Sequence, residues 1–180
     1  GGCDCGAQDG TMVDLGGGGK AYYVYDAGGQ RIRKVIESQN GVRQKERIYL
    51  GGFEIYREYS GNGAISLVRE SLHVMDNKQR VALVGTRTQG SEPGLPAQLV
   101  RYQFRNHLGS ASVELDNIGA LISYEEYYPY GTTAFQAGRS AAEVSLKRYR
   151  YTGKERDDET GFSYHGARYY APWVGRWTAA

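Results

Sequence analysis

The stretch Tyr23-Val24-Tyr25-Asp26-Ala27-Gly28-Gly29-Gln30-Arg31-Ile32 decides the fold class. Two short runs of aromatic and β-branched residues, 21–26 and 31–37, flank a glycine-rich break, and glycine supplies the positive φ that a tight turn demands. This is the signature of an antiparallel hairpin. The same pattern recurs outward along the chain. Residues 45–50 and 53–59 flank Gly51-Gly52, and 66–74 and 80–86 flank a longer polar turn at 75–79. Residues 110–115 and 120–128 flank Asp116-Asn117-Ile118-Gly119. Four hairpins in succession predict a meander of antiparallel strands.

Alternation along these strands separates two faces imperfectly. Phe53, Ile55, Arg57 and Tyr59 share one side, expected to be the apolar one, while Glu54, Tyr56 and Glu58 share the other, expected to be wet. Ile122, Tyr124, Glu126 and Tyr128 share a face with no dry character. The expected object is a broad, curved, amphipathic sheet, in which tyrosine rings pack across strands and their hydroxyls stay hydrated or bonded. Glu125 and Glu126 are adjacent, so they point to opposite faces and do not form a carboxylate pair. One helix is expected within 134–148, best in 140–147, where Ser140 and Glu143 form a capping box. Residues 89–96, with Gly90, Pro93, Gly94 and Pro96, read as an exposed loop dividing the first three hairpins from the rest.

Composition removes several function classes. The 26 glycines among 180 residues lack collagen's period, and only 4 prolines accompany them, which argues against a disordered linker. No apolar run reaches the roughly 18 residues of a membrane span, and the first residues lack the pattern of a signal peptide. A net charge of +2 spread along the chain leaves no footprint for nucleic acid. Gly1 in place of an initiator Met reads as a piece of a longer protein. Cys3 and Cys5 are too close for an unstrained disulfide and too few for a zinc site. The glycines 16–19 before Lys20 lack the spacing and the Ser or Thr of a phosphate loop, so residues 1–20 read as a flexible leader.

Tyr23, Tyr25, Asp26, Gly29 and Arg31 spell Tyr-x-Tyr-Asp-x-x-Gly-x-Arg, which resembles a tyrosine-aspartate (YD) repeat of the Rhs family. Three later motifs are more specific: Asn106-His107-Leu108-Gly109-Ser110, Tyr128-Pro129-Tyr130-Gly131, and Gly153-Lys154-Glu155-Arg156-Asp157. With Gly161, Tyr164, Gly166, Tyr169, Tyr170 and Gly175-Arg176-Trp177 they resemble the Rhs-repeat-associated core. Leu72-His73-Val74-Met75-Asp76 and the stretch 106–131 are closest to the C components of bacterial insecticidal Tc toxin complexes. The resemblance spans residues 21–177.

That resemblance implies an all-β chain of consecutive hairpins forming part of a curved, spiralling hollow shell, with one short helix near 140–147. It implies a leader at 1–20, YD-type hairpins at 21–133, a crossover at 134–148, a core segment at 149–177 and a tail at 178–180. The implied role is structural: the shell encapsulates a C-terminal toxin and presents it for autoproteolytic release. The implied partners are that cargo, the rest of the shell and a B-type component, in a secreted complex, with no cofactor or metal. Arg168 in Gly166-Ala167-Arg168-Tyr169-Tyr170 matches the arginine of the family's autocleavage site. The family's aspartates belong to and follow an Asp-Pro-x-Gly motif after Gly-Arg-Trp. The sequence stops at Thr178-Ala179-Ala180, where that motif is expected to begin, so the chain as it stands is expected to be no enzyme, its aspartates lying beyond Ala180 in the parent. Arg168 is then expected to stack on tyrosines, with a supporting catalytic role only in the complete parent.

Other readings stand beside these. Exposed tyrosines suit a surface module that binds carbohydrate. Asp157-Asp158-Glu159 lacks the spacing of a calcium loop and reads as a solvated acidic turn. Ser110, His107 and Asp116 make a triad on paper but have no nucleophile elbow, and His107 is expected to hydrogen-bond within its turn. His73, His107 and His165 lie far apart. The isolated chain, with long sheet edges, is expected to self-associate.

Overall fold

The computed structural model describes residues 11–14, 18–77 and 79–178. Cys3, Cys5 and residues 179–180 lie outside the described residues. Eleven strands form one antiparallel sheet in chain order: β1 Thr11–Asp14, β2 Lys20–Tyr25, β3 Arg31–Glu37, β4 Arg43–Leu50, β5 Phe53–Tyr59, β6 Ile65–Asp76, β7 Gln79–Gln89, β8 Gln98–Arg105, β9 Ala111–Leu115, β10 Leu121–Tyr127 and β11 Thr133–Gly138. Each strand pairs only with its chain neighbours, and β1 and β11 do not meet, so the sheet is open. The meander is longer than its four predicted hairpins. Thr11–Asp14, within the expected leader, is an edge strand against β2. Residues 89–96 do not divide the sheet: they link β7 to β8, whose register runs unbroken from Ala82↔Tyr102 to Thr86↔Gln98.

A single turn geometry recurs six times. Asp26, Ser38, Ser60, Asn106, Asp116 and Tyr128 each donate their amide to the carbonyl four residues on, and a glycine three residues on donates back. Those glycines, at 29, 41, 63, 109, 119 and 131, have φ between 72° and 88°. A register shift accompanies each turn, as expected of a turn closed by a glycine bulge. In three of them an Asp26, Asn106 or Asp116 Oδ1 accepts two turn amides at 2.8–3.1 Å. The aspartate of the YD motif is therefore a turn residue. In Asn106-His107-Leu108-Gly109 the same job falls to Asn106, and His107, expected to bond within the turn, is exposed.

After β11 the chain folds back across one face of the sheet. Residues 134–138, expected in the crossover, belong to strand β11, paired with β10 from Ser123↔Gly138 to Tyr127↔Thr133. Only Ala141–Ser145 is helical (α1), capped by Ser140, whose Oγ accepts from the Glu143 amide at 3.2 Å. A single 3₁₀ turn, Tyr151–Gly153, leads to a small sheet of β12 Glu155–Arg156, β13 Ser163–Tyr164, β14 Tyr169–Ala171 and β15 Arg176–Thr178. No helix among the described residues is long and apolar enough to cross a membrane.

The two faces are the reverse of the sequence expectation. Register places Lys34, Arg47, Tyr49, Glu54, Tyr56, Arg69 and Ser71 on the face that the C-terminal segment covers, and Glu54 is only 1% exposed. The opposite face carries Phe53, Leu72, Val74, Tyr102 and Phe104, and Leu72, Val74, Tyr102 and Phe104 are exposed. Charged residues are buried here because the covering segment is itself charged.

Candidate functional site

The covered face and the segment 139–178 meet in a seam of buried ion pairs. Its centre is Glu54 on β5, which accepts from Arg47 Nη1 at 3.1 Å and Arg148 Nη2 at 2.5 Å, and from the Tyr149 hydroxyl. His73 Nε2 stands 2.9 Å from the same carboxylate, and the His73 ring lies edge-on to Tyr149. Burial would raise Glu54, but Arg148, His73 and Arg47 outweigh it and hold the group well below the ordinary carboxylate range.

A second group is organised by Arg31, the arginine of the YD motif. Its Nη2 donates to Glu155 and its Nη1 to Asp157, both at 2.7 Å. Its guanidinium lies 4.4 Å from the centre of the Tyr164 ring, with Tyr49 and Tyr23 beyond it. Lys34 closes the other side of Asp157 at 2.9 Å and reaches Glu159, which also accepts from the Tyr23 hydroxyl at 2.8 Å. Arg148 Nη1 bridges to Glu155 at 2.5 Å and so joins the two groups.

Burial affects the two carboxylates differently. It would raise Glu155, yet Arg148, Lys34 and Arg31 hold the group down to about 2. For Asp157 burial wins, with the Glu155 charge beside it, and its acidity is weakened. Paired carboxylates with separated acidities are a signature of acid chemistry. Here Glu155 and Asp157 are buried and their charges are already engaged by Arg31, Lys34 and Arg148. Within Asp157-Asp158-Glu159, expected to be a solvated acidic turn, Asp157 and Glu159 are instead anions of the seam, and Asp158 alone is exposed.

A third group lies nearer α1. Glu125 binds Lys147 at 3.1 Å and Arg150 at 2.8 Å and accepts from Tyr127 and Thr133, while Glu126 on the other face is exposed. Lys147, 1% exposed, also donates to the Ala111 carbonyl at 2.7 Å. Glu114 holds Arg101, Gln103 and Ser123 within 3.0 Å.

The other predicted positions lock this seam in place. Ser110 Oγ accepts from the Thr152 amide at 2.9 Å, which leaves it 0% exposed and far from any triad geometry; Asp116 is bound to its turn and to Arg139. Gly153, with φ of 68°, lies against Gly109 O and Arg105, and a Cβ at Gly131 would lie 2.5 Å from the Tyr151 ring. The Tyr151 hydroxyl donates to Pro129 O and Tyr170 to Tyr130 O. Tyr25 and Tyr169 share a short hydroxyl contact, and Tyr164 accepts from the Arg31 amide. Gly161 abuts Trp173, Gly166 faces Gln30, and Gly175 abuts Tyr130. Leu108, Tyr128, Lys154 and Arg176 are exposed, and Arg156 is half-buried.

Arg168 sits 4.6 Å from the Trp177 ring centre, so its stacking partner is tryptophan and not the tyrosines expected. His165 meets Trp177 and Tyr170 edge-on, and burial, with Lys154 and Arg168 nearby, pushes its imidazole down to about 4. Among the residues that sequence reasoning missed are Glu54, Arg148, Lys34, Glu125, Lys147 and Glu114. A charged residue alternating along a strand carries the signature of a wet face, and the covering partners lie 94 residues away for Glu54 and Arg148.

An open meander with an ionic inner face sealed by its own C-terminal segment is a wall-type β-repeat structure. The comparisons place it further. No family model matches the chain. It is 42% identical over 97% of its length to the toxin subunit YenC1 of Yersinia entomophaga, and 38% identical over 88% to YenC2 of the same organism. In fold it matches a crystal structure of TcdB2-TccC3 with a TM-score of 0.80 and 37% identity over 88% of the chain. Over nearly its whole length the chain is thus similar to C components of Tc toxin complexes, in line with the Rhs-type motifs of its sequence. It spans 17% and 16% of the two toxin subunits and 8% of the TcdB2-TccC3 chain.

Proposed function

We propose that this chain is a structural part of a Tc-type shell that encloses a C-terminal toxin segment. The observation that carries this reading is the likeness to toxin subunits across nearly the whole chain, over a sheet whose charged face is closed by the core segment. A wall needs rigidity without a thick apolar core, and bridged ion pairs plus glycine-closed turns supply it. In the parent, the partners are the enclosed toxin, the remaining shell and a B-type component like the TcdB2 that stands beside TccC3, in a secreted complex. In this reading β1 to β11 are the wall, residues 139–148 the crossover and 149–177 the core.

Arg168 supports self-cleavage in the parent, through aspartates outside the described residues, because among those described the buried carboxylate pair with separated acidities is already neutralised. Carbohydrate binding is the weaker reading: Tyr23, Tyr169 and Tyr170 are buried and their rings pack within the chain.

Limited proteolysis of the full-length parent assembled with its B-type partner tests the proposal. The C-terminal segment should resist digestion, and digestion as fast as that of the free segment would overturn it. The purified 180-residue chain should keep its intact mass on incubation. Self-cleavage would show that the catalytic groups lie within it.

A further inference from the structure

Between the inner face of the sheet and the chain from Ser145 to Asp158 lies a cavity of about 230 Å³. Its lining includes five cations, Lys45, Arg47, Arg69, Arg101 and Arg148, against one acidic side chain, Asp158. Three of the cations are committed elsewhere: Arg47 and Arg148 to Glu54, and Arg69 to Glu92. The other two have capacity left. Lys45 is exposed and makes no ion pair among the described residues.

Arg101 is 2% exposed, and its Nη2 serves both Glu114 and the Glu143 carbonyl, at 3.0 and 2.6 Å. Its Nε and Nη1 donate to no protein acceptor. A buried guanidinium with two unpaired N–H groups is costly unless a ligand completes it. Gly85 lines the same wall, where a Cβ would come 3.3 Å from Arg69 Nη1, so the missing side chain keeps the space open. An adjoining cavity of about 310 Å³ shares Lys45, Arg47, Tyr56, Arg148 and Asp158 with the first.

We propose that this cavity binds a phosphate-type oxyanion, free or carried on a larger molecule, held by Arg101 and Lys45 with Arg47, Arg69 and Arg148 around it. The unpaired Arg101 Nη1 can donate to one oxygen of a tetrahedral oxyanion and the Lys45 ammonium to another. Lys45, with no carboxylate partner among the described residues, and Arg47 and Arg148, which share Glu54, supply positive charge for such a group beside the single acid Asp158. The cavity is larger than a phosphate ion and opens toward the second, which leaves space for the remainder of a carrying molecule.

The test is calorimetric titration and thermal melting of the 180-residue chain with inorganic phosphate and with pyrophosphate, against chloride at matched ionic strength. Phosphate should raise the melting temperature beyond the chloride control. Lys45→Gln and Arg101→Lys should each weaken its affinity about tenfold. Lys45 is on the surface and Arg101→Lys keeps a cation beside Glu114, so both variants should fold. Tighter binding of pyrophosphate would point to a carried phosphate, and preference for phosphate to the free ion. A response no greater than chloride's, or equal responses in wild type and both folded variants, would overturn the proposal.

Discussion

The two faces of the eleven-stranded sheet invert the usual arrangement. The face that is charged in sequence is buried, as at Glu54, Arg69 and Glu125, while the face that carries Leu72, Val74 and Phe104 is open. Burying charge costs several kcal/mol per ion, recovered only when geometry and additional hydrogen bonds are close to ideal. The inner face meets that condition by sharing: Glu54, Glu155 and Glu125 each engage at least two cations and a tyrosine hydroxyl. The comparison teaches that solvent exposure in this fold is set by what the C-terminal segment covers and not by the polarity of the strand.

The largest effect expected from breaking this contrast is at Arg31. Arg31→Ala removes the cation that Glu155 and Asp157 share, leaving only Arg148 and Lys34 beside them, and urea unfolding should show a loss of about 3 kcal/mol, the lower end of the range for a broken buried pair. A loss below 1 kcal/mol, roughly that of a surface pair, would mean the seam is not structural.

Acid comes next. His165, held neutral with its imidazole depressed to about 4, contributes stability above its ordinary value near 6.5 that is lost as pH falls toward 4. Glu155 contributes stability that is complete above 4.5 and is lost as pH falls through about 2. For Glu155 alone that loss is about 3 kcal/mol. Asp157, shifted the opposite way, softens it by gaining its proton early. Melting temperature measured from pH 7 to 2 should fall in both intervals, and a flat profile would contradict the buried pairing.

The smallest effect belongs to the open face. Phe104→Ser removes a ring that is 55% exposed and should change stability by less than about 0.5 kcal/mol. The same change should reduce self-association in sedimentation velocity, because apolar side chains on an open sheet promote contact between copies. Destabilisation comparable to that of Arg31→Ala would show that this face is covered.

The hairpins were legible because turn chemistry is local. Asp26, Asn106 and Asp116 with a glycine three residues on announce their turns in four adjacent residues. The turns at Ser38 and Ser60 have the same form but carry a weaker local mark, because serine lacks the carboxylate or amide oxygen with which Asp26, Asn106 and Asp116 accept two turn amides. Residues 134–138 carry no apolar alternation and so read as crossover, and pairing with β10 alone makes them strand. The Tyr-x-Tyr-Asp-x-x-Gly-x-Arg motif located Tyr23, Asp26 and Arg31, but not their separate duties in packing, turn and ion pair.

By itself the sequence determined the all-β class, the succession of hairpins, the Ser140 cap and the kinship to toxin C components. Period and turn residues act over a few positions, so they can be read without the fold. Only the tertiary structure decided which face is inside, that Asp157 and Glu155 are anchors and not a wet turn, and that Arg168 rests on Trp177. Those outcomes depend on partners such as Arg31 and Asp157, 126 residues apart, and electrostatic pairing at that separation leaves no periodic mark on the chain.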